Sequence, residues 1–196
     1  MDFYMNGEKI DVMLEGEKTV GDVLKSFEIT CEENDAAVIG IVIDEKNITA
    51  EEFDDVSKQE LKDSTKFEFS VITKQTICES FKKTSELFKK LEQEMAQIPI
   101  QFQNGKEKEA NLSIKSLADS IENFCHVAAL ASLFKEYSII SIDNKPFNDF
   151  FAEFSPVLSD FEQALKDNDT VTIGDLAEYE ICPRLHAIAE ALDNLN

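Results

Sequence analysis

The spacing of apolar positions changes once along this chain. From Thr65 the residues alternate, with Phe67, Phe69 and Val71 on one side and Lys66, Glu68 and Ser70 on the other. That is the period of a strand with one buried face. From Ile77 the period lengthens, and Ile77, Phe81, Phe88, Leu91, Met95 and Ile98 fall on one helical stripe. The pattern predicts an α+β domain over residues 1–73 and an all-helical domain over 76–196, linked only by Thr73–Thr76.

In the first domain, Phe3 and Met5 alternate before Asn6-Gly7, and Ile10, Val12 and Leu14 alternate after it. Asn-Gly between two such runs signals a hairpin, because both turn residues need positive φ. Thr19-Val-Gly-Asp22 reads as a helix cap, and Val20, Val23, Leu24 and Phe27 carry a helix on to about Glu33. Val38–Ile43 is a continuous β-branched run suited to an interior strand. Asp44–Asn47 turns, Ile48 starts a short return, and Thr49-Ala-Glu-Glu52 caps a short helix expected to bury Phe53.

The order of hairpin, helix, strand, short strand, short helix and strand resembles the β-grasp, or ubiquitin-like, fold over residues 1–73. The resemblance implies a mixed sheet around one main helix, with the last strand beside the first. Sulfur-carrier and modifier members of that group end in a free Gly-Gly, whereas here the strand runs through Ile72–Thr76 into a helix. Ferredoxin-type members need four closely placed cysteines, and this half holds Cys31 alone. A docking module is the role left.

The second domain is expected to hold four helices, over about 76–97, 108–136, 145–166 and 173–192, as an up-and-down four-helix bundle. Pro99 and Asn104-Gly105 should stop the first. Ile139–Ile142 falls in a break and could extend the second helix or form a short extended piece. Pro183 should kink the last helix. The segment Thr170–Leu185 is similar to helices that close other small, uncharacterised bacterial bundles.

Charge narrows the function classes. Forty acidic against nineteen basic residues give a net charge of −21, which repels nucleic acid and anionic bilayers. A single arginine, Arg184, leaves little for bidentate phosphate recognition. Protein partners are expected, and neither nucleic acid nor membrane. Cys31, Cys78, Cys125 and Cys182 are widely spaced without a CxxC pair, so free thiols in a reducing cytoplasm are expected. Met1–Met5 carries no basic segment before an apolar run, and no stretch approaches the ~20 apolar residues of a spanning helix.

Candidate chemistry is sparse. Cys125 and His126 are adjacent on a helix and point about 100° apart. Cys182 and His186 lie one turn apart and could join Cys125 and His126 in a metal site only if their helices pack together. Asp167-Asn-Asp169 begins like a calcium loop, but Val171 and Thr172 stand where oxygen ligands and glycine are required. No glycine-rich phosphate loop is present. No catalytic residue, metal or cofactor is therefore expected.

Phe147, Phe150, Phe151 and Phe154 recur at i, i+3, i+4 and i+7. Such a stripe is core or, if the helices cannot bury it, a partner-binding face. The expected function is a non-enzymatic interaction or adaptor protein. The alternatives are an acidic cytoplasmic chaperone for a secreted or flagellar subunit and a metal-dependent or small-molecule enzyme built on the helical bundle.

Overall fold

The computed structural model describes residues 1–195. The chain divides into two compact units, Met1–Thr76 and Ile77–Asn196. The first holds a mixed five-stranded sheet and the second is mostly helical, so the class is α+β.

In the first unit, β1 (Asp2–Met5) and β2 (Glu8–Ile10) pair antiparallel. Their turn, Asn6-Gly7, takes φ of 51° and 86°, the left-handed region that asparagine and glycine tolerate best. With β3 (Ala36–Ile43), β4 (Lys46–Asn47) and β5 (Lys66–Thr73), the sheet order is β2-β1-β5-β3-β4. β1 runs parallel to β5 with Phe3 opposite Phe67, and β3 is antiparallel to β5.

One face of this sheet is closed by α1 (Val20–Glu33), which buries Val20, Val23 and Leu24 against Phe3, Ile43, Phe67 and Phe69. Phe3 stacks on Phe67, and Phe27 on Phe69 with 3.8 Å between centroids. The helix starts where two groups cap each other: Asp22 N–H donates to Thr19 Oγ1 (3.2 Å) and Thr19 N–H to Asp22 Oδ2 (2.9 Å).

Two expectations for this unit need correction. The ladder of β2 stops at Ile10, although Val12 and Leu14 still turn inward onto the core. Phe53, on α2 (Ala50–Ser57), is 39% exposed rather than buried. The reason lies in how α2 meets α1. A Cβ on Gly21 would lie 2.8 Å from the Ser57 carbonyl oxygen, so α2 makes its close contact through its C-terminal end. Val56 is drawn toward the core and Phe53 is left at the rim.

The second unit carries more elements than four helices. α3 (Lys74–Met95) starts directly after β5. Pro99 does not end a helix; it sits in the first turn of α4 (Ile98–Gln103), where its missing N–H removes no helical bond. α5 (Glu107–Ala131) gives way to a 3₁₀ turn, Lys135–Tyr137. A small hairpin follows, β6 (Ser141–Ile142) against β7 (Lys145–Pro146), turning at Asp143 and Asn144, both with positive φ. α6 (Phe147–Asp167) ends at left-handed Asn168.

The last helical run changes register twice. α7 (Thr170–Asp175) passes into a π-helical segment, Leu176–Ile181, and then into α8 (Cys182–Asp193). Pro183 therefore falls in the first turn of a new helix instead of kinking a continuous one. Arg184 Nη1 donates to the Glu180 carbonyl (2.8 Å) and to its carboxylate (2.6 Å), satisfying an acceptor at that junction. The unit's core gathers Phe81, Phe88, Leu91, Phe124, Phe154, Ile181, Leu185 and Ile188, all buried.

Candidate functional site

A concavity of about 560 Å³ lies within the first unit. Its floor is apolar. Val23, Phe27 and Cys31 come from one stripe of α1, Val71 from the end of β5, and Val12 and Leu14 from the strand-like stretch after β2. Burial along Ile10–Leu14 alternates, with Ile10, Val12 and Leu14 half-buried and Asp11 and Met13 exposed, Met13 at 88%. This is the side-chain period of an extended chain.

Yet this extended chain has no neighbour. β2 is an edge of the sheet, and Asp11, Val12, Met13 and Leu14 enter no backbone–backbone hydrogen bond among the described residues. These four consecutive residues thus lack a backbone partner beside an apolar groove. Unpaired edges of this kind template the pairing of another chain.

Seven of the seventeen residues lining the groove are polar. Among its lining residues only Asp11 and Glu17 carry charge, both negative. Glu17 is held in place, with Oε1 accepting from the Ser26 hydroxyl (2.9 Å) and Oε2 from the Glu15 N–H (2.6 Å). Its own backbone N–H and Ser26 hold its carboxyl below the usual carboxylate range, so it is ionised at neutral pH. Burial, with Glu28 nearby, pushes the Cys31 thiol up and away from nucleophilic use. The groove's lining pairs no base with a nucleophile.

Of the phenylalanine stripe, Phe150 and Phe154 are buried, at 5% and 0% exposure, while Phe147 and Phe151 are half-buried. Phe151 packs against Phe147, Phe150 and Phe154 in one aromatic cluster that also takes in Phe124. Only the margins of Phe147 and Phe151 are open to a partner.

Cys125 is half-buried and lines a smaller cavity with Tyr137, Ile140 and Phe147, while His126 is exposed. Cys182 instead donates to the Glu92 carbonyl (3.3 Å), and His186 Nδ1 contacts Glu92 Oε2 (3.2 Å). Among the described residues no group of three or more His, Cys, Asp or Glu side chains is placed to hold a metal.

Residues 79–191 match the family described as a domain of unknown function, DUF8042. The chain belongs to that family. Residues 1–73 match the TP0873 N-terminal domain. A protein of Treponema pallidum (strain Nichols), described as an uncharacterized protein, is 22% identical over 192 residues, covering 98% of this chain and 96% of that protein. No solved structure matches.

The DUF8042 match takes in the phenylalanine stripe, Cys125, Cys182 and His186, whereas the groove lies within the stretch matched by the TP0873 N-terminal domain. Sequence reasoning read Ile10, Val12 and Leu14 as a paired strand and so passed over the groove. Its one visible signal was Met13, a large apolar residue on the polar side of the alternation.

Proposed function

We propose that this chain is a non-enzymatic interaction or adaptor protein whose first unit captures an extended segment of a protein partner. The unpaired edge Asp11–Leu14 beside the apolar groove carries the reading. A partner strand added there would take main-chain hydrogen bonds from the edge and place alternate side chains in the groove. The sheet order β2-β1-β5-β3-β4, with its parallel β1–β5 pair and one main helix, supports assigning this unit to the β-grasp fold. In the second unit, α3, α5, α6 and the run from α7 to α8 supply the long helices of the bundle reading. Cys31, Cys78, Cys125 and Cys182 form no disulfide, which fits a protein working in the reducing cytoplasm. No helix among the described residues is long and apolar enough to cross a membrane.

The test is affinity capture from native lysate with the wild type and with Met13→Pro, followed by hydrogen exchange on the captured complex. Proline removes one edge N–H, and the replaced side chain is exposed, so the core is undisturbed. The expected result is a partner recovered by the wild type alone, with new amide protection at Asp11–Leu14. Equal recovery by a folded Met13→Pro protein would refute edge docking.

A further inference from the structure

Resting on that edge-docking reading, we infer the chemistry of the occupant: an extended segment whose alternate side chains are apolar and whose intervening positions carry lysine or arginine. Three observations lead there. The floor, built from Val12, Leu14, Val23, Phe27 and Val71, selects apolar side chains on one face of the incoming strand. Asp11 and Glu17 are the only charged lining residues, and Ser26 and the Glu15 N–H fix the Glu17 carboxylate in position. The whole chain carries −21, so the long-range field also draws a cationic segment.

The size of the segment follows from the edge. Ile10–Leu14 spans five residues, a length of about 16 Å in extended conformation. A partner stretch of about five residues therefore covers it, with two or three side chains reaching the floor.

A second copy of this chain is a poor occupant. Its own edge, Glu8-Lys-Ile-Asp-Val-Met-Leu-Glu15, carries three carboxylates against one lysine, so pairing two copies would bring net negative charge together. Each copy would also bring a further −21.

The experiment uses the purified full chain and three labelled heptapeptides read by fluorescence anisotropy: alternating Lys-Val, alternating Glu-Val and alternating Lys-Ser. The Lys-Val peptide should bind roughly tenfold more tightly than Glu-Val, the size expected when two exposed carboxylates pass from attraction to repulsion. Its affinity should fall with added salt, and Asp11→Lys with Glu17→Gln should erase or reverse the preference. Lys-Ser should bind far more weakly than Lys-Val.

Equal binding of Lys-Val and Glu-Val would overturn the cationic assignment while leaving edge docking intact. Equal binding of Lys-Ser would overturn the apolar requirement. Undiminished binding of Lys-Val to Met13→Pro, or binding of no peptide at all, would remove the edge reading itself. A dimer in sedimentation, with amides 11–14 already protected in the absence of peptide, would make a second copy the occupant and overturn the inference.

Discussion

Asn6 closes on Val71 with both ends of its amide: Nδ2 donates to the Val71 carbonyl (3.0 Å), and Oδ1 accepts from the Val71 N–H (2.9 Å). The side chain thereby acts as one more residue of β1 beside β5, and both residues line the groove. A turn residue thus also fixes one wall of the candidate site.

The pair can be tested by Asn6→Gly. Glycine keeps the positive φ of 51° without strain but loses both bonds, so stability should fall by about 1–3 kcal/mol in denaturant titration. Asn6→Ala should cost more, because it adds backbone strain to the same loss. Unchanged stability in Asn6→Gly would mean that water replaces the amide without penalty.

The phenylalanine stripe should behave as two classes. Phe154 is wholly buried and lies under the Arg184 guanidinium, 5.7 Å from its centroid. Phe154→Ala should destabilise the second unit by about 3–5 kcal/mol, the range for deleting a buried aromatic. Phe151→Ala, at a half-buried position, should cost clearly less. Unfolding curves that rank the two in the opposite order would place the core elsewhere.

What could be read in advance divides by the range of the interaction. Thr19 with Asp22, and Asn6 with Gly7, act within three residues, so spacing alone announces the cap and the turn. The placement of β5 beside β1 is what the resemblance in element order implies, and its parallel direction is given by the structure. Phe53, Pro183 and the edge at Asp11–Leu14 depend on what packs from elsewhere in the chain. Alternation shows that Val12 and Leu14 face inward, but not whether a neighbouring strand exists. Proline signals a missing N–H, but not whether a helix begins there. The phenylalanine stripe has the same form in core and in surface, and only burial separates Phe154 from Phe151.

His186 gives a pH dependence with a defined sign. A hydrogen bond to Glu92, then its charge, holds the imidazole above the ordinary value of 6.5, with Glu190 adding to it. A raised folded value means that the charged histidine's contribution to stability is complete below 6.5 and is lost as pH rises through the folded value. The effect should be small, because the side chain is 55% exposed. An NMR titration of His186 should show a midpoint above 6.5 that moves down in Glu92→Gln. A midpoint unmoved by Glu92→Gln would discard the pairing.

Thiol reactivity should follow burial. Desolvation, with Glu92 and Glu178 adding their charge, pushes Cys182 up to about 11. Its thiol is therefore protonated at neutral pH and donates to the Glu92 carbonyl. Timed alkylation read by mass spectrometry should leave Cys182 unmodified in the folded protein and label it once denaturant is added. Rapid labelling in the native state would show that α8 opens locally.

Gly21 and Ser57 set how closely α1 and α2 approach. A Cβ at position 21 would lie 2.8 Å from the Ser57 carbonyl oxygen and 2.9 Å from its Cβ, and a backbone oxygen cannot swing aside as a flexible side chain can. Gly21→Ala should therefore destabilise the first unit by about 1–3 kcal/mol, even though alanine is the better helix former. Ser57→Gly removes the Cβ clash but leaves the carbonyl, so the double variant should recover only part of the loss. Full recovery would trace the contact to the serine side chain alone. No loss in Gly21→Ala would show that α2 shifts freely, and that its position does not depend on the glycine.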